Sequence, residues 1–133
     1  MGRGFRELKV WQMAKDLAVR VYSLTNSGSF SRDFGLRDQM RRAAVSVASN
    51  IAEGDERDTN RDAIRFLYIA KGSLAEITTQ VIIAQETGYL TQAECDDALT
   101  RCDTLGKMLG SLIKSRKPQT PNSPTPQPLT PNP

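Results

Sequence analysis

The chain has 133 residues, 38% of them hydrophobic and 25% charged, with a formal net charge of +3 and a pI near 9.1; that is enough for one domain with a continuous core. Histidine is absent, which excludes imidazole acid–base chemistry, Ser–His and Cys–His nucleophiles and His-ligated metals. The mildly basic balance permits nucleic-acid binding without requiring it.

All seven prolines lie at or after Pro118, and the chain before that point lacks the alternating pattern of strands. This predicts an all-α fold for residues 1–117. The N-terminus has no apolar signal-like run, and Arg6 stands where a myristoylation motif needs Ser or Thr. No apolar stretch approaches the ~20 residues that span a bilayer, so a soluble, cytoplasmic protein away from membranes is expected. Cys95 and Cys102 are seven residues apart, roughly 10 Å on one straight helix, too far for a disulfide. Both are expected to be reduced and to lie on an apolar face.

The first helix is predicted over about residues 6–25, where Leu8, Trp11, Ala14, Leu17, Ala18, Val21 and Leu24 recur at the helical period. Trp11 within that stripe reads as core rather than as a base-stacking residue. Residues 26–31 (NSGSFS) form a turn, and Ser31 or Asp33 can cap a second helix over about residues 34–54. Its core row is Leu36, Met40, Ala43, Val47 and Ile51, flanked by Ala44, Ala48 and Ala52, small residues that allow another helix close. Glu53 and Arg57 are spaced for an ion pair if the helix runs past Gly54, but Gly54 can equally end it.

Residues 55–60 make a polar corner, with Thr59, Asp58 and Asn60 as competing caps. The acidic residues Glu53, Asp55, Glu56, Asp58 and Asp62 lack calcium-loop spacing and read as solvated turn and capping groups, so no metal and no cofactor are expected. The third helix, about 60–87, carries two apolar rows. One is Ile64, Leu67, Leu74, Thr78 and Val81; the other is Phe66, Ile69, Ala70, Ile77, Ile83 and Ala84. Such a helix should be buried on more than one side, as a central helix or at a subunit interface. Glu76 falls inside this region and should pair with Arg42 or Arg65, because an unpaired buried charge costs several kcal/mol, roughly.

Gly88 ends the third helix, and Thr91 with Glu94 is a capping box for a fourth over about residues 92–116. Its apolar face is Cys95, Leu99, Cys102, Leu105, Leu109 and Leu112. The short connections make successive helices antiparallel, an up-and-down four-helix bundle. Residues 118–133 (PQTPNSPTPQPLTPNP) are uncharged and nearly without large apolar groups, which predicts a disordered, polyproline-like extension. Its Pro118-x-x-Pro121 spacing is the minimal SH3-type ligand pattern, a weak signal in so proline-dense a tail.

The segments FRELKVWQMAKDLA, LRDQMRRAAVSVASNIAEG, IRFLYIAKGSLAE and GYLT, in this order over about residues 5–115, resemble the four-helix-bundle proteins encoded in intervening sequences of bacterial 23S ribosomal RNA genes. The resemblance implies an up-and-down bundle assembled as a homopentamer, with no catalytic residue to carry over. A more distant relative, the accessory variability protein of diversity-generating retroelements, binds nucleic acid and partners a reverse transcriptase. Asn50 and Glu53 in NIAEG and Glu76 in GSLAE are read as a structural polar network.

The expected function is therefore a non-enzymatic oligomeric scaffold that binds nucleic acid, RNA ahead of DNA. Arg37, Arg41, Arg42, Arg57, Arg61 and Arg65 are expected to converge near the junction of the second and third helices and to contact phosphates. The opposing expectation is that these arginines are neutralised by Glu53, Asp55, Glu56, Asp58, Asp62 and Glu76. An alternative function is a protein–protein adaptor with no nucleic-acid binding, the reverse transcriptase being one partner suggested by analogy.

Overall fold

A computed structural model of the chain describes residues 4–118, and over these residues the long elements are four helices with no strand: α1 (Lys9–Thr25), α2 (Phe34–Asp55), α3 (Asn60–Glu86) and α4 (Gln92–Arg116). Short 3-10 turns at Gly4–Glu7 and Gly28–Arg32 precede α1 and α2. Each helix packs on the next, α2 on α3 most extensively, and α1 meets α4 along the lightest seam. With connections this short, the order is antiparallel and up-and-down, an all-α four-helix bundle. The proline-rich extension predicted after Pro118 lies outside the described residues.

Local chemistry explains the helix ends. The first helix starts at Lys9 rather than near Arg6, because Leu8 is extended between it and the 3-10 turn. That turn is held back against α1 by Gln12 Nε2 donating to Arg6 O at 2.8 Å and by the Phe5–Trp11 edge contact at 5.1 Å. Asp33, not Ser31, caps α2 by accepting from Leu36 N–H. Thr59 Oγ1 caps α3, and the reciprocal Thr91–Glu94 box opens α4. At the end of α3, Gly88 adopts φ +87°; Tyr89 N–H reaches Ala84 O at 2.8 Å and Gly88 N–H reaches Gln85 O at 3.1 Å. That is the paired closure of a helix by a left-handed glycine.

Gly54 stays inside α2, which runs on to Asp55. The continued turn lets Arg57 pair with Glu53 at 3.2 Å. Proximity favours glycine here, since a Cβ would stand 3.1 Å from the Ala63 carbonyl oxygen of α3, closer than an ordinary contact.

The core runs the length of the bundle through Leu17, Val21, Met40, Val47, Ile51, Leu67, Ile77, Leu105 and Leu109, all essentially inaccessible. Each fully buried side chain of this size contributes about 1.5–3 kcal/mol of transfer free energy. Cys95 and Cys102 are free and buried. Burial pushes the Cys102 thiol up to about 11, which leaves it protonated and unreactive near neutrality.

Only one side of α3 is buried. Leu67, Ala70, Leu74, Ile77, Val81 and Ala84 face α2 and α4, whereas Tyr68, Ile69, Ile82 and Ile83 are exposed. The second apolar row predicted for α3 is thus divided between core and surface within this chain.

Two connections are latched together at one end of the bundle. Tyr89 O–H donates to Asp33 Oδ2 at 2.9 Å while its ring stacks on Phe30 at 5.0 Å. The Leu36 N–H bond first, then the Tyr89 hydroxyl, hold the Asp33 carboxyl below its ordinary range; the bond to Asp33 raises the Tyr89 phenol. The lowered Asp33 value stabilises the fold above the ordinary carboxylate value of 3.8, and that contribution is lost as pH falls through the folded-state value. The raised Tyr89 value stabilises below 10 and is lost as pH rises through its folded-state value. Tyr89→Phe is therefore expected to lower the thermal midpoint near neutral pH. The gap from wild type should close towards strongly acidic and strongly alkaline pH, as followed by circular-dichroism melts across pH.

Candidate nucleic-acid interface

The six predicted arginines do not converge. Arg37, Arg41 and Arg42 lie on the N-terminal half of α2; Arg57, Arg61 and Arg65 lie at the α2–α3 corner. Arg41 and Arg57 are separated by sixteen positions, about 24 Å at the helical rise. The spacing in sequence looks compact because α2 and α3 are consecutive, but the length of α2 separates the two groups, one in its N-terminal half and the other beyond its C-terminal end.

Three of the six do structural work. Arg37 pairs with Asp38 at 2.9 Å, donates to Ser31 O at 2.9 Å and covers the Phe34 ring. Arg41 donates from Nε to Thr25 Oγ1 at 2.8 Å and lies 4.6 Å over the Tyr22 ring, fastening the end of α1 to α2. Arg57 is held by Glu53, through both its carbonyl and its carboxylate, and by the Phe66 ring. Arg42, Arg61 and Arg65 are exposed and make no ion pair among the described residues. Arg65 also lies over Phe66.

The predicted Asn50–Glu53–Glu76 network is corrected in two of its three members. Asn50 belongs to a real cluster: its Nδ2 donates to Ser46 Oγ at 3.0 Å, and Ser46 shares a 2.8 Å hydrogen bond with Ser73 of α3. Glu53 instead pairs with Arg57 on the surface. Glu76 is exposed, with no ion pair to Arg42 or Arg65, although it shares the rim of a small cleft with Arg42, Ser46 and Ser73. The reason is helical phase. Ile69 and Ile83 flank Glu76 seven residues to either side, so all three share a stripe, and that stripe is the exposed one.

Residues that the sequence reading did not single out complete the surface. Tyr68 is 48% exposed, and Lys117 Nζ lies 6.0 Å from its ring centroid. Lys71, one turn along α3, lines a groove of about 590 Å³ with Gly106, Lys107 and Asp103 of α4. The available signal was the shared phase of Arg61, Arg65 and Tyr68, three and seven residues apart. Among the described residues no cluster of three His, Cys, Asp or Glu is placed to hold a metal ion, and no helix is long and apolar enough to cross a membrane.

The fold defines an all-α four-helix bundle whose charged and apolar side chains are arrayed along helix faces. The model of the 23S rRNA-intervening sequence protein family matches residues 6–111, and the chain belongs to that family. No curated protein matches the chain. Among solved structures, it is similar to a protein of unknown function from the S23 ribosomal protein family of Bacteroides thetaiotaomicron. The two are 24% identical with a TM-score of 0.73, over 79% of this chain and 98% of the other.

Proposed function

We propose that this protein is a non-enzymatic cytoplasmic scaffold that self-associates, as a homopentamer on the family resemblance, and binds nucleic acid, RNA foremost, through arginines of α3. One observation carries the reading: the exposed face of α3 combines charges free to meet phosphate with an apolar edge free to meet another copy. Arg61 and Arg65 supply the charges, and Ile69 and Ile83, 47% and 45% exposed, supply the edge. Repetition of a modest basic patch around a ring raises affinity through effective concentration.

The test is an anisotropy titration of structured RNA, single-stranded DNA and duplex DNA at two salt concentrations, with the particle mass measured alongside. A multimer that binds with steep salt dependence is expected. The double substitution Arg61→Gln, Arg65→Gln should reduce the slope of log affinity against log salt by roughly 0.7–0.9 per lost phosphate contact. Arg41→Gln should instead lower the melting temperature and leave that slope unchanged. The second reading, a protein–protein adaptor with a reverse transcriptase as one partner class, draws on the cleft of about 490 Å³ between α1 and α4, lined by Leu8, Val10, Met108 and Leu112. Absence of binding at low salt would favour it.

A further inference from the structure

The two edges of the exposed α3 face differ. Towards α2 lie Ile69, Glu76 and Ile83; towards α4 the surface is basic and carries an aromatic ring. The α3–α4 groove has Lys71 and Lys107 on its two walls and an apolar floor that includes Leu74 and Leu99. Gly106 keeps the α4 wall low: a Cβ added there would touch Leu74. Lys114 follows Lys107 by seven residues and shares its face, and Lys117 turns back over Tyr68. From Lys107 to Lys117 the charges extend about 15 Å along α4. The acid on this stretch is Asp103, which pairs with Lys107 at 3.3 Å with both side chains at least 70% exposed. Such a solvent-exposed pair contributes little, so Lys107 can exchange it for a phosphate.

We infer that this α3–α4 seam is a binding groove for single-stranded nucleic acid, in which Lys71, Lys107, Lys114 and Lys117 follow the phosphates and the Tyr68 ring stacks on an unpaired base. The inference rests on the nucleic-acid reading above and names its substrate class. Lysines on flexible stems suit a backbone of variable path, because each acts as a point charge rather than a fixed fork. An exposed ring beside such charges recognises any base with a free face, and a duplex offers none along its length. Arg61 and Arg65 continue the same positive surface beyond Tyr68 at the start of α3.

The test compares a labelled oligouridylate with an RNA duplex of the same length, using full-length wild type, Tyr68→Ala, Tyr68→Phe, and the pair Lys107→Gln, Lys114→Gln. Thermal melts and particle mass are measured for each variant. Tyr68→Ala should weaken the single strand on the order of tenfold and leave the duplex unchanged, while Tyr68→Phe keeps wild-type affinity. The lysine pair should reduce the single-strand salt slope by roughly 1.4. Equal losses on both probes with Tyr68→Ala would overturn the stacking role. Unchanged oligouridylate binding in Tyr68→Ala and the lysine pair, with weakening in Arg61→Gln, Arg65→Gln, would overturn the seam and leave the proposed function standing. Failure of every nucleic acid to bind wild type at low salt would remove the proposed function and this inference with it.

Discussion

Gly54→Leu is expected to lower the thermal midpoint more than any surface substitution in the chain. At this position α2 approaches α3 so closely that even a methyl group would lie 3.1 Å from Ala63 O, 3.4 Å from Phe66 Cβ and 3.7 Å from Leu67 Cδ2. The nearest obstacle is backbone at the first turn of α3, so relief requires the two helices to separate. Ala at this site gains about 1 kcal/mol of helix propensity over Gly, against an overpacking cost of about 1–3 kcal/mol. It should therefore destabilise modestly. A leucine adds bulk without further propensity gain and should lose about 3 kcal/mol, equivalent to a fall of roughly 10 °C or more for a domain of this size. Gly110→Ala is the control: nothing lies within 4 Å of its added Cβ, so propensity alone should act and raise stability by about 0.5–1 kcal/mol. Melts of Gly54→Ala, Gly54→Leu and Gly110→Ala check the ordering. A Gly54→Leu protein as stable as wild type would show that the approach of α2 to α3 is looser than its geometry.

The architecture was legible because its signals are local. Periodicity found the four helices, and the capping residues Asp33, Thr59 and Thr91 and the closing glycine Gly88 act within one turn of where they stand. Gly54 was ambiguous for the opposite reason. A glycine near a helix end and a glycine under a crossing helix look alike in sequence, and only the position of Ala63 separates them. Glu76 was misplaced because a helix with apolar residues around most of its circumference does not reveal which side meets its neighbours. The arginines illustrate a further limit. Nearness in sequence suggested one patch, whereas the length of α2 divides them, and Arg37 and Arg41 are engaged in holding α1, α2 and their connection. The environment of Tyr68 was not legible because Lys117, which lies over its ring, comes from the end of α4, nearly fifty residues away.

On the proposed self-association through the α3 edge, Ile69→Asp combined with Ile83→Asp should convert the assembly to monomer without unfolding the chain. Both side chains are nearly half exposed in the single chain, and substitutions at such positions usually change monomer stability by no more than about 0.5 kcal/mol. The consequence for an interface built on this edge is much larger. Each isoleucine would forfeit on the order of 1 kcal/mol of apolar burial. Each new carboxylate would also have to leave water beside Glu76, which already carries a negative charge on that stripe. Together these terms should weaken each contact on the order of a hundredfold or more. Sedimentation or light scattering should then report the mass of one chain, with helical content and melting cooperativity retained. The monomer keeps Arg61, Arg65, Tyr68 and the nearby lysines, so under the proposed function weak nucleic-acid binding should persist while the gain from multiple attachment disappears. Retention of the wild-type mass would exclude this edge of α3 as the contact between copies. Loss of mass with undiminished affinity would separate assembly from binding and assign the nucleic-acid surface to the single bundle.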